Sequence, residues 1–244
     1  MADRKHAWED QLTPRDNKFM EGGVFGAKRG MGTNPCVMVI DMQYTATGDK
    51  DEDILEMIKT WPGGCGHEAW AAIRNQQKLL PIARAAGIPI IYTRYIPQLV
   101  RFDGFSKKST AVAQEINPND KGWQIVEEIK PEAGEIVLDK SYASVMFGTP
   151  LISWLTAMRI DTILVVGNST GGCVRASTVD LITHNFNVAV IEDCVFDRIE
   201  LAHAAALFDL WMKYSDVIWM DEAFEYIKTV KDGVVVSELA GAAS

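Results

Sequence analysis

The chain lacks most of the features that advertise a chemistry. It has only four cysteines in 244 residues, Cys36, Cys65, Cys173 and Cys194, and no C-x-x-C pair. That excludes a disulfide-built scaffold. Its four histidines are scattered, with no H-x-x-x-H or D-x-H spacing, so no metal or other cofactor is expected. There is no G-x-S-x-G nucleophile elbow. The Gly-rich run "GGVFGAKRGMG" is no phosphate loop, because G-x-x-x-x-G-K-[ST] is missing. No apolar run reaches the length of a membrane span. The N-terminal "MADRKHAWEDQLTPRDNK" has no apolar stretch of the signal-peptide kind. A net charge of −9 with no long basic run leaves no positive footprint for nucleic acid or an anionic membrane. The expected compartment is the cytoplasm.

What is present fits a globular α/β protein. Hydrophobic residues make up 48% and charged residues 23%, enough for one sizeable core. Residues 1–34 read as a polar, flexible N-terminal arm of the kind that packs on a neighbouring subunit. Residues 35–244 read as a single domain. Within it, apolar β-rich runs alternate with helical patterns. Strands are expected at 36–41, 88–94, 135–140, 161–167, 187–193 and 216–220. Helices are expected at 66–87, 122–129, 149–159, 173–185 and 201–214. Pro81 is placed to kink or divide the first of these, and Gly87 to end it. Thr149 and Pro150 are placed to start the third. Six buried strands separated by helices predict a three-layer α/β/α fold with a six-stranded, mostly parallel, Rossmann-like sheet.

In such sheets ligands bind beyond the carboxyl ends of the strands. The residues there are Asp41, Arg94, Lys140, the 168–173 turn and Asp193 onward. Asp41, Lys140 and Cys173 make a workable set. A free thiol with a pKa of about 8.5 is only about 3% ionised at neutral pH. Passing its proton to an ordinary aspartate is uphill by about 6 kcal/mol. A helix starting at Cys173 would favour the thiolate. A lysine 4 Å away would add on the order of 4 kcal/mol at an effective dielectric near 20, before desolvation. Cys173 would then attack a carbonyl carbon while Asp41 takes and returns the proton. Turn amides around 169–173 would receive the oxyanion. Singly, each residue has an ordinary explanation: a turn aspartate, a solvated rim lysine, a buried cysteine. A Cys–His dyad is the competitor, with Cys65 and His67 in "PGGCGHEAW" as its nearest pair.

Three ordered stretches carry a resemblance. "VMVIDMQ", "IVLDKSYASVMFGTPL" and "VVGNSTGGCVRAST" are similar to the aspartate, lysine and nucleophile motifs of the isochorismatase-like cysteine hydrolases. The resemblance spans about residues 34 to 220. "GGVFGAKRGMG", "GCVRAST" and "DRIELAHAAALFDLWMKYSDV" place it nearest the N-carbamoylsarcosine amidase and maleamate amidohydrolase branch. It implies Asp41, Lys140 and Cys173 as the catalytic triad, and a cis peptide between Asn168 and Ser169. The amides of Ser169 and Cys173 would form the oxyanion hole. Arg198, Asn168 and Thr170 would bind substrate, Arg198 through a carboxylate. A small amide or carbamoyl compound would be the partner, in a homodimer or homotetramer. "TRYIPQLVRFDG", after the second strand, holds no histidine for the metal set of nicotinamidases.

Overall fold

The computed structural model describes residues 4–97, 117 and 119–231. Six strands form one sheet: β1 (Pro35–Ile40), β2 (Ile90–Tyr95), β3 (Ile136–Lys140), β4 (Thr162–Asn168), β5 (Asn187–Phe196) and β6 (Asp216–Ile218). All neighbours pair parallel, in the order β3-β2-β1-β4-β5-β6. Every residue of β1 and β4 is buried, because both sheet faces are covered.

After the short helices α1 (Pro14–Met20), α2 (Tyr44–Thr47) and α3 (Ile54–Met57), five further helices cover the sheet, and alternate side chains of each strand feed two cores. Val37, Val39, Leu164 and Val166 pack with Ile73 and Leu80 of α4 (His67–Ala85) and Ile227 of α8 (Met220–Lys231). Met38, Ile40, Ile163 and Val165 pack with Leu155 of α5 (Leu151–Ala157), Leu181 of α6 (Arg175–Thr183) and Leu207 of α7 (Glu200–Lys213). Strand order reverses between β1 and β4, so the chain leaves their carboxyl ends toward opposite faces of the sheet, the place where such sheets form a ligand crevice.

Three expectations change. The helix expected at 122–129 is instead two 3-10 turns, Lys121–Trp123 and Glu127–Ile129. The backbone between them is extended because it pairs with the chain after β1: Val126 N–H donates to the Met42 carbonyl at 3.0 Å, and Gln43 and Ile125 form a bridge. Pro81 does not divide α4, which runs unbroken to Ala85, with Gly87 following at φ 72°. The last strand ends at Ile218, and a helix begins at Met220. There Asp193 and Glu222 accept the Met220 and Trp219 amides at 2.9 Å.

The N-terminal segment lies against its own chain. Trp8 is buried in the second core beside Phe208 and Trp211. The His6 ring stacks on Trp8 and Trp219, and its Nδ1 meets Glu192, whose other oxygen accepts the Ala7 amide at 2.8 Å. Further along, Asp216 accepts the amides of Arg29 and Gly30, each at 2.8 Å.

Candidate active site

Asp41 follows β1 with φ 50°, a left-handed conformation that aspartate tolerates better than most residues. Its amide donates to the Thr93 carbonyl at 3.2 Å, and Thr93 Oγ1 donates to Asp41 Oδ1 at 2.7 Å. The Asn168 side-chain amide donates to the Asp41 carbonyl. The ends of β1 and β4 are therefore tied together. Gly167 makes this close approach possible: at its φ of 112°, an added Cβ would lie 2.1 Å from the Ile40 carbonyl oxygen.

Lys140 ends β3, two strands away, and is 2% exposed. Its Nζ reaches past β2 to Asp41 Oδ2 at 2.7 Å. It also donates to Cys173 Sγ at 3.2 Å and to the Tyr142 carbonyl at 3.0 Å. One ammonium is thus ion-paired with a carboxylate and hydrogen-bonded to a thiol and a backbone carbonyl. Burial by itself would lower its pKa, but Asp41 and Cys173 together raise it, so the cation persists.

Cys173 lies in a π-helical turn, Thr170–Val174, between β4 and α6. The helix expected to begin at Cys173 begins at Arg175. Gly172 takes non-helical angles there, and a Cβ on it would meet Ser169 Oγ at 2.5 Å. The Asn168–Ser169 peptide is cis. The thiol is not acidified. Burial first, and Asp41's charge second, push it up to about 12, beyond what Lys140 offsets. At neutral pH the resting site holds a protonated thiol against a lysine–aspartate pair.

Several of the turn's amides have partners. Those of Gly172 and Val174 donate to the Ser169 carbonyl at 2.9 and 3.2 Å. That of Gly171 donates to Asp197 Oδ2 at 2.7 Å. These three are committed within the fold. The side chains of Asn168 and Thr170 also have framework partners: Asn168 holds Asp41, and Thr170 Oγ1 meets His203 Nδ1 at 2.8 Å. Burial lowers the His203 pKa, so that imidazole is neutral.

Of the strand-end residues, Asp41, Lys140 and Cys173 meet. Arg94 instead pairs with Asp139 at 2.7 Å, and Asp193 caps α8. Arg198 is half-buried, and its Nε donates to the Gly63 carbonyl at 2.6 Å. Among the described residues it forms no ion pair. Cys65 and His67 make no dyad: Cys65 is fully buried with its thiol pushed up to about 12, and His67 pairs outward with Asp51. Thr93, Asp197 and His203 escaped sequence reasoning. Asp197 directly follows β5, the one signal that pointed toward it, whereas Thr93 lies inside β2. Among the described residues no cluster of His, Cys, Asp and Glu is arranged to hold a metal. No helix among them is long and apolar enough to cross a membrane.

Comparison with known proteins agrees with the fold. A family model, the isochorismatase domain, matches residues 35–221. Maleamate amidohydrolase of Pseudomonas putida is 34% identical over 223 residues, covering 90% of this chain and 97% of that protein. N-carbamoylsarcosine amidase of an Arthrobacter species is 31% identical over 213 residues, covering 83% and 75%. Among solved structures, an isochorismatase-like hydrolase from Alkaliphilus metalliredigens superposes with a TM-score of 0.68 at 20% identity, covering 79% of this chain and 98% of that one. At these identities the solved structures speak for the fold.

Proposed function

This chain belongs to the isochorismatase domain family, and we propose that it is a cysteine amidohydrolase acting on a small amide or carbamoyl compound. The observation that carries the reading is the contact of one buried ammonium, Lys140, with both Asp41 and Cys173, at 2.7 and 3.2 Å. Cys173 Sγ attacks the substrate carbonyl carbon, and its proton passes to Asp41 as the bond forms. With the thiol near 12, a free thiolate is not populated first, so proton transfer and attack are coupled. Lys140 holds the base and the sulfur in register and balances the charge that moves between them.

By the family resemblance, the amides of Ser169 and Cys173 receive the developing oxyanion; those of Gly171, Gly172 and Val174 donate within the fold. Collapse breaks the C–N bond. Asp41 returns its proton to the leaving nitrogen, and ammonia departs. A thioester remains on Cys173. Asp41 then deprotonates a water that hydrolyses it, and the thiol is restored.

Arg198 binds a carboxylate on the substrate, a role suited to its planar fork and supported by the absence of an ion-pair partner among the described residues. An N-carbamoyl amino acid is the first substrate class. A maleamate-type half-amide is the second, favoured by the 34% identity to the Pseudomonas enzyme. Both classes carry a carboxylate and a terminal carbonyl-bound NH2. The test is ammonia release from N-carbamoylsarcosine, maleamate, biuret and ureidoacrylate. One of the carboxylate-bearing compounds should turn over, and Cys173→Ala should abolish its turnover. Undiminished ammonia release by Cys173→Ala would refute the mechanism. A reactive Cys173 with no ammonia from any amide would instead mark a scaffold that has lost turnover.

A further inference from the structure

Asp197, the first residue after β5, holds two parts of the site with one carboxylate. Its Oδ2 accepts the Gly171 amide at 2.7 Å, two residues before Cys173. Its Oδ1 accepts the Arg198 amide at 2.8 Å. The fit on the turn side is close, since a Cβ added to Gly171 would lie 3.2 Å from Oδ2. Arg198 is held a second time by Nε to the Gly63 carbonyl at 2.6 Å. A continuous chain of contacts therefore runs from the nucleophile turn through Asp197 to Arg198 and on to the 61–65 loop.

The two ends of that chain must act on one molecule: sulfur on the carbonyl carbon, guanidinium on the carboxylate. We propose that Asp197 is a positioning residue that fixes the spacing between Arg198 and Cys173. It thereby selects substrates by the distance between their carboxylate and their scissile carbonyl. This rests on the reading of Arg198 as the carboxylate-binding group. Asp197 touches no reacting atom in this account. It acts through the backbone amides of Gly171 and Arg198, which an acceptor with two oxygens on one rigid plane can hold together.

The test uses a ladder of substrates differing by one methylene: N-carbamoylglycine, N-carbamoyl-β-alanine and N-carbamoyl-γ-aminobutyrate, with maleamate and glutaramate as the amide counterparts. Wild-type kcat/KM should peak at one length and fall by roughly tenfold or more per added or missing methylene. Asp197→Ala should compress that ratio to within about threefold. Asp197→Asn, which keeps only one acceptor oxygen, should give an intermediate ratio and covers the case in which the alanine variant does not fold. A loss of folded protein scales all substrates equally, so it leaves the ratio untouched. Arg198→Gln separates the two readings. If it flattens the profile while both Asp197 variants keep the wild-type ratio, Arg198 stands and the role of Asp197 is overturned. If Arg198→Gln keeps the wild-type ratio, or if wild type shows no length preference, the carboxylate reading fails and the spacing proposal with it.

Discussion

Lys140 Nζ lies 2.7 Å from Asp41 Oδ2 although their strands, β3 and β1, are separated by the whole of β2. Both side chains are out of water, at 0% and 6% exposure. A buried pair of this kind is held by its own geometry, and removing one partner leaves the other charge stranded. Lys140→Met should therefore cost about 3–5 kcal/mol in denaturant unfolding. The double variant Asp41→Asn/Lys140→Met should recover most of that loss. A fully additive pair of losses would show that the two charges are not coupled.

The thiol makes a prediction with an unusual sign. With Cys173 pushed up to about 12, its alkylation by iodoacetamide should rise about tenfold per pH unit from pH 7 to 10, with no plateau near 8.5. Asp41 is one of the causes of that elevation. Asp41→Asn should therefore speed alkylation at a fixed pH while lowering ammonia release at least 100-fold, because the base is gone. Slower alkylation and slower turnover together would contradict the electrostatic account.

Thr93 holds the Asp41 carboxylate. Its hydroxyl donates to Asp41 Oδ1 at 2.7 Å and it is fully buried. Thr93→Val keeps the volume and removes the donor. It should lower kcat about tenfold with little change in KM, and Thr93→Ser should restore most of the loss. Equal activity of the valine and serine variants would remove the hydroxyl from the mechanism.

The N-terminal segment should confer a pH-dependent stability. His6 is raised above 6.5, first by its bond to Glu192, against the opposing effect of burial. A group bound more tightly to its proton in the folded state stabilises fully below the unfolded pKa, here about 6.5, and less as pH rises through the folded value. The thermal midpoint should therefore fall between pH 6.5 and 8.5 more in wild type than in His6→Gln. Trp8→Ala, which empties a buried indole site, should cost about 3–5 kcal/mol at any pH. A pH profile unchanged by His6→Gln would exclude the His6–Glu192 pair as its source.

The sheet was legible because its central strands, β1 and β4, are covered on both faces and read as continuous apolar runs, while the edge strand β3 showed only as a short β-rich run beside charged residues. Strand ends then named Asp41, Lys140 and Cys173. The reach of Lys140 across β2 was not legible, since it depends on strand order rather than on spacing along the chain. Nor was the state of the thiol: a helix start suggested acidification, but the glycine pair at 171–172 delays the helix to Arg175, and burial dominates. The 122–129 segment misled for a related reason. Its apolar residues have helical spacing, yet Val126 and Ile125 are held extended by Met42 and Gln43, a contact between distant parts of the chain. Asp197 was hidden because its work is done on backbone amides, which leave no mark in a side-chain pattern.

In the proposed mechanism Cys173 carries the covalent intermediate. The most direct measurement is acid-quenched peptide mass spectrometry of enzyme caught during turnover of whichever amide releases ammonia. An acyl or carbamoyl adduct is expected on the Cys173 peptide and should be absent from Cys173→Ala. An adduct on another residue, or ammonia release by Cys173→Ala at the wild-type rate, would contradict the mechanism.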